Sequence, residues 1–343
     1  MLTTILSGGL IGLIFGFILQ RTRFCLTGGF RDMYIARNNT LFYAFLIAIT
    51  VESIGVLSLI KLGIIGNPYE EFSVLGAIVG SYLFGIGIVL AGGCATGTWY
   101  RAGEGLLGSW VALFFYMTSA AAMKSGFLVP LNQLIAKHWV INDNLAGQLG
   151  IPVWYLLIFL VVITSFFVIR ELRKPRRQIA YLPPRYKGVR HYLFEKTYHK
   201  YFAGLLIGLV ALIAWPASQL TGRVGGLGIT TPSAHLISYI ITGDSKQLGW
   251  GVFLVLGIFL GSFLAAKGSR EFRWRLPDLS TIGKSTLGGI FMGIGASWAG
   301  GCTIGNGLTA TAVFSSKGWI ALPVTILGVW TASYIIFVKP NKN

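Results

Sequence analysis

Three cysteines, Cys25, Cys94 and Cys302, carry the softest chemistry in the 343-residue sequence. Two of them sit in matching phrases, Ala91-Gly92-Gly93-Cys94-Ala95-Thr96-Gly97 and Ala299-Gly300-Gly301-Cys302-Thr303-Ile304-Gly305. The third sits in Arg21-Thr22-Arg23-Phe24-Cys25-Leu26-Thr27-Gly28-Gly29. Glycine ends a helix cheaply because it tolerates positive φ. If a short helix restarts after the break, its first N–H groups are free and favour an anion. A thiol placed there is a polarizable group with a weak S–H donor, and a helix start also makes it more reactive. A single cysteine in an apolar helix is ordinarily a packing residue, and glycine beside it a close-packing device. Recurrence argues otherwise here: all three thiols lie in Gly/Thr-rich breaks and none in an uninterrupted apolar run.

Other chemistry is sparser. No Cys-x-x-Cys pair occurs, and an odd cysteine count gives no disulfide framework. The four histidines, His138, His191, His199 and His235, are scattered without metal-ligand spacing. Neither a metal nor a cofactor is expected. Glu52 lies inside an apolar run, where a carboxylate is expensive and often functional. It is expected to be protonated, to snorkel, or to pair with an arginine of the breaks. Arg101 and Glu104 read as a local ion pair on a loop, Arg223 as a solvated loop charge or an anion contact, and Lys124, Arg173 and Arg176 as topology signals.

The elements that position these residues must be membrane spans. The chain is 54% hydrophobic and 11% charged, with mean hydropathy +0.69, and so lacks the charge that coats a soluble surface, about 25%. Its net charge of +17 reads as basic cytoplasmic loops rather than as a nucleic-acid surface. Runs of roughly 20 apolar residues span a bilayer, and nine candidates occur: 3–20, 41–62, 73–91, 106–123, 152–169, 202–215, 249–267, 284–299 and 318–338. The 202–215 and 284–299 runs are short; flanking residues must extend them, or they end inside the membrane. Met1 is followed by no basic stretch, so the first run reads as a retained helix.

The expected fold class is an all-α polytopic membrane protein of about nine helices with short re-entrant segments. The basic stretch 171–200 is expected in the cytoplasm, which places the N-terminus outside and the C-terminus inside. Arg21, Arg23, Arg31 and Arg37, then Lys267, Arg270, Arg273 and Arg275, then Lys339 and Lys342 agree with that orientation. The same stretch divides a single transporter domain into repeat one (1–170) and repeat two (201–338). Spans one and six are each followed by a Gly/Thr-rich stretch, the second being Gly222-Arg223-Val224-Gly225-Gly226-Leu227-Gly228-Ile229-Thr230-Thr231. Spans three and eight are each followed by Gly-Gly-Cys. Run in opposite directions, the halves form inverted repeats, the plan of many secondary transporters.

At these four stretches, in this order and across nearly the whole chain, the sequence resembles the YeeE/YedE family of bacterial inner-membrane transporters, known for thiosulfate uptake. The carrying residues are Gln20 to Gly28, Ala91 to Gly97, Gly222-Arg223 with Gly228-Ile229-Thr230, and Ala299 to Gly307. The resemblance implies a channel-like helical transporter whose re-entrant loops meet centrally. It implies that Cys25, Cys94 and Cys302 line the path and contact the cargo through S–H hydrogen bonds. Family members linked to selenium metabolism leave the ion open, and others paired with a small sulfur carrier imply a TusA-like cytoplasmic partner. Val224 to Leu227 loosens the third stretch relative to the family.

The expected function is import of a small sulfur-containing anion, thiosulfate first, with Gly93, Thr96, Gly301, Thr303 and Arg223 beside the three thiols. The expected partners are that anion and the lipid bilayer. A membrane thiol enzyme of the sulfurtransferase kind and a passive anion channel are the rivals. The enzyme needs an activated thiolate with a resolving or accepting group, and no Cys-x-x-Cys or nearby histidine supplies one.

Overall fold

The computed structural model describes residues 1–173, 188–196 and 198–340. Half of the basic connector 171–200, including Lys174, Arg176, Arg177, Arg185 and Lys187, lies outside the described residues, as does Lys342. Two sets of long helices, interleaved with short ones, make the molecule. The first set runs α1 (Leu2–Thr22), α2 (Leu26–Ile35), α3 (Thr40–Lys61), α4 (Val74–Leu90), α5 (Ala95–Gly103) and α6 (Leu107–Ser125). The short α7 (Val129–Ala136) and α8 (Leu145–Leu149) follow, then α9 (Val153–Leu172) and α10 (Val189–Phe194). The second set runs α11 (Lys200–Gln219), α12 (Thr230–Thr242), α13 (Trp250–Gly268), α14 (Leu279–Trp298), a π-helical turn (Gly305–Ala310) and α15 (Ser316–Ser333). A two-stranded ribbon pairs β1 (Glu71–Ser73) with β2 (Val140–Asn142) antiparallel, Phe72 opposite Ile141.

Each of the nine apolar runs lies on a long helix. By length and composition, seven helical segments of the described residues are long and apolar enough to cross a membrane, or eight if α6 and α7, bent by 70°, form one broken span. The two short runs are extended by their flanks: α11 and α14 each have 20 residues, about 30 Å at 1.5 Å per residue. The protein is an all-α, multi-pass membrane protein.

Direction along the bundle follows from contacts at the helix ends. Lys200 Nζ, at the start of α11, donates to Thr22 O at the end of α1, 2.6 Å away. Trp250 Nε1, at the start of α13, donates to Ser7 Oγ near the start of α1 at 3.1 Å. So α1 and α13 run together, and α11 runs against them. Packing is reciprocal: α1 lies on α13 and α3 on α11, while α4 packs on both α14 and α15, and α14 on both α4 and α6.

Small residues let these backbones touch, the usual solution where lipid supplies no hydrophobic drive between helices. A Cβ built on Gly16 would stand 2.1 Å from Ile258 O, and one on Gly261 2.0 Å from Leu13 O. On the matching seam, a Cβ on Gly204 would stand 2.1 Å from Ala44 O. No side chain fits at any of the three.

Candidate functional site

Each of the four singled-out stretches breaks a helix and starts another in the same way. The breaking residue adopts the left-handed conformation: Arg23 (φ 52), Gly92 (φ 69), Gly222 (φ 79) and Gly300 (φ 69). The new helix then opens on a carbonyl that accepts its first i+4 bond. Gly29 N donates to Cys25 O (2.9 Å), Thr98 N to Cys94 O (2.8 Å), Ser233 N to Ile229 O (2.9 Å) and Asn306 N to Cys302 O (2.8 Å). Three of the four helix-opening positions are therefore cysteines and the fourth is isoleucine. The longer third stretch, Arg223 to Gly228, intervenes between break and restart.

The thiols are buried, Cys25, Cys94 and Cys302 being 7%, 3% and 2% exposed. Cys94 Sγ accepts from Gly97 N at 3.4 Å, so one of the first-turn N–H groups is capped by the cysteine itself. Cys25 Sγ accepts from Arg101 Nη2 at 3.4 Å. In both, the sulfur's acceptor side is taken and its S–H remains free to donate. Cys94 stands within electrostatic reach of both other cysteines. Tyr116, fully buried, is within reach of Cys94 and Cys302 and donates its hydroxyl to Thr230 Oγ1 at 2.9 Å. Trp99 Nε1 donates to Ser233 Oγ at 3.0 Å. These bonds tie α6 and α5 to α12, so the stretches converge.

Arg101 overturns its expected role. It lies on α5 and does not pair with Glu104. Its Nη1 donates to Gly92 O, and its Nη2 reaches Cys25. One guanidinium thus bridges two of the breaks, reaching Cys25 from 76 residues along the chain. Glu104 instead takes a fork from Arg23 Nη1, 2.6 and 2.7 Å. Arg23 Nη2 also reaches Glu271 at 2.9 Å, and Gln20 Nε2 donates to the same carboxylate at 2.8 Å. This cluster closes the bundle end where α1 terminates. Glu271 is held below the ordinary carboxylate range: burial pushes it up, but Gln20 and the charges of Arg23 and Arg21 outweigh that.

Toward the other end lies a cavity of about 530 Å³ lined by Arg223, Gly226, Ile229, Gly301, Cys302, Trp215 and Lys317, among others. Arg223 is half-buried, stacks over the Trp250 ring at 5.4 Å and donates to Gly225 O and Gly226 O at 3.2 and 2.9 Å. It is therefore neither a freely solvated charge nor bound to a carboxylate in these bonds. Gly226 must be glycine, since a Cβ there would stand 2.6 Å from Trp215 Nε1. Asp143, also on the cavity, accepts from Ser315 Oγ (2.6 Å) and Lys317 N (2.8 Å). Burial pushes its carboxyl up, against the Lys317 charge. Lys124, read as a topology signal, donates to Thr231 Oγ1 at 2.7 Å.

The expected residues thus fall into two groups. Arg223, Gly301 and Cys302 share the cavity; Cys25, Cys94, Gly93 and Thr96 gather around Arg101 and the start of α5. Thr303 lies behind Cys302, in a void of about 10 Å³ with Ser81, about one water in size. Three threonine hydroxyls beside the thiols are buried without a hydrogen-bond partner: Thr27, Thr96 and Thr303. A buried hydroxyl without a partner costs stability, so each of these three is available to a water or a guest. Tyr116 was missed from sequence and Arg101 was given the wrong partner: no spacing rule links Arg101 to Cys25 or Tyr116 to Cys302.

Known proteins match this chain along most of its length. A family model described as "Sulphur transport" matches residues 21–331. The chain is 54% identical over 343 residues to "Thiosulfate transporter TsuA" of Escherichia coli (strain K12), covering 100% of this chain and 97% of that protein. It is 33% identical to "Thiosulfate transporter TsuA" of Spirochaeta thermophila, covering 96% and 98%. A shorter similarity, 42% over 101 residues, links 29% of this chain to 25% of "Probable transporter YedE" of Escherichia coli (strain K12).

Proposed function

The chain belongs to the sulphur transport family, and from that membership we propose that it imports thiosulfate through the four converging breaks. It is a membrane transporter and not an enzyme. Two relatives matched over nearly their whole length carry thiosulfate in their names. The observation that carries the reading in this chain is the common geometry of the three thiols. Each opens a short helix, is buried, and stands beside an unpartnered hydroxyl.

Thiosulfate is a dianion with a soft terminal sulfur, and its water is stripped at high cost unless donors replace it. Arg223 and the helix starts suit its oxygens. Cys302, then Cys94 and Cys25, offer S–H donors to its sulfur as neutral relay groups, with Gly93 and Gly301 giving the backbone its close approach. Weak donors suit a path, because each site must release what it binds. Arg101 supplies a fixed cation between the last two steps.

Orientation completes the proposal. The end bearing Arg21, Arg23, Lys267 and Arg270 faces the cytoplasm, by the excess of basic residues there, and the cavity faces outward. The halves 1–170 and 201–338 act as inverted repeats in one inner-membrane domain; the reciprocal packing and opposed directions of α1 and α11 support this. A separate TusA-like carrier receives the cargo at the cytoplasmic end. Import is uphill: two charges cost about 2.3 kcal/mol each per 100 mV, so roughly 4.6 kcal/mol at that potential.

A sulfur auxotroph given thiosulfate alone tests the function. Cells carrying this protein should grow, and Cys94→Ser or Cys302→Ser should slow uptake at least about tenfold, the loss of one well-placed contact. Properly inserted serine variants with the parent's uptake rate would refute the relay.

A further inference from the structure

One buried ionisable group has no role in the path described so far. Glu52 lies near the middle of α3 and is 0% exposed. Its Oε1 accepts from Trp215 Nε1 at 2.9 Å, and its Oε2 has no hydrogen-bond partner. Trp215 is itself a wall of the cavity that holds Arg223 and Cys302. One indole ring therefore separates this carboxyl from the cargo's entry chamber.

The surroundings supply no cation. The elements on α3 are α2, α9, α11 and the π-helical turn. Their ionisable side chains are Arg31, Asp32 and Tyr34 on α2, Tyr155, Arg170 and Glu171 on α9, and Lys200 and Tyr201 on α11. α3 itself adds Tyr43 and Lys61 at its ends, and Tyr69 packs on the cluster around Trp215. Among the described residues, none of these acts electrostatically on Glu52, and the nearby cavity charge, Arg223, is engaged with Gly225 O, Gly226 O and Trp250. A carboxylate enclosed at membrane depth is tolerated when it is paired, and otherwise marks a proton site.

We propose that Glu52 is the proton-binding site of an anion–proton symport: a proton enters on Oε2 as the dianion enters the cavity, and both leave together on the far side. This rests on the thiosulfate reading above. Binding of the two is reciprocal, because a dianion beside Trp215 favours the protonated carboxyl as much as the proton favours the dianion. Each proton carried inward also removes one of the two charges moved against the membrane potential.

Proteoliposomes with the potential clamped by potassium and valinomycin decide the matter. An inward gradient of about one pH unit should raise the parent's initial thiosulfate uptake at least about threefold, with lumenal pyranine reporting acidification that follows uptake. In Glu52→Gln the ratio of uptake with and without the gradient should fall to about one, and Glu52→Asp should restore it partially. A Glu52→Gln ratio equal to the parent's overturns the proposal. So does thiosulfate uptake by the parent without acidification, a result that needs no variant to fold. Absence of thiosulfate uptake by the parent under every gradient would instead overturn the transport reading.

Discussion

Thr96 Oγ1 is enclosed beside Cys94 with nothing to bond. Replacing it by valine removes no partner in the folded protein, so thermal stability in detergent should stay within about 0.5 kcal/mol of the parent or rise. Uptake should nevertheless fall about tenfold, because a hydrogen bond to a charged group is worth about 1.5–3 kcal/mol. Parallel thermal melts and uptake rates read the two effects; a variant that transports at the parent rate removes Thr96 from the path. Arg101→Lys keeps the charge but loses the fork that joins Gly92 O to Cys25 Sγ, and should lower uptake more than stability. At this scale the sequence revealed the thiols, because residue type and glycine breaks are local. It misassigned Arg101, because three residues of separation suggested a pair with Glu104. At the end of α5 the two side chains go different ways, Arg101 to Cys25 and Glu104, the residue after the helix, to Arg23, 81 residues back.

Helix α1 carries a built-in control for the role of its glycines. A Cβ on Gly9 meets nothing within 4 Å, whereas one on Gly16 would stand 2.1 Å from Ile258 O. Gly9→Ala should be neutral or stabilise by up to about 1 kcal/mol through helix propensity. Gly16→Ala must push the α1 and α13 backbones apart and should destabilise by about 1–3 kcal/mol, as overpacking does. Melting temperatures of the two variants check the contrast, and equal melts would deny the close seam. Helix existence was legible from apolar runs. The ends of α11 and α14 were not, because Lys200 and Lys284 interrupt or border the hydropathy while the backbone continues through them. The restarts at Cys25, Cys94 and Cys302 were legible as breaks; their common i+4 acceptor geometry was not, since periodicity carries no phase across a glycine.

Taken whole, the molecule is closed at one end by Arg23, Glu104 and Glu271, which tie the first half of the chain to the second. Glu271 lies below its ordinary value, so its contribution is full above the unfolded value near pH 4.3 and is lost as pH falls through the folded one. The melting temperature in detergent should therefore drop as pH falls below about 4.3, and Glu271→Gln should flatten that drop. Orientation is read by labelling: Asn67→Cys should react with an impermeant maleimide on intact cells, and Ser269→Cys only after lysis. The order of partners, α1 on α13 and α3 on α11, could not be read from sequence, because apolar faces in lipid do not name their mates. Those two seams have a mechanical consequence. Each joins one half to the other through glycine laid on a carbonyl, and neither can slide by a turn without driving a side chain into backbone. Rocking of one half against the other, the common way for inverted repeats to expose a site alternately, would shear both. The two halves therefore make a stiff frame, and on the path proposed above passage would proceed by small rotations of side chains at the four breaks. A covalent cross-link fastening α1 to α13 should leave uptake at the parent rate.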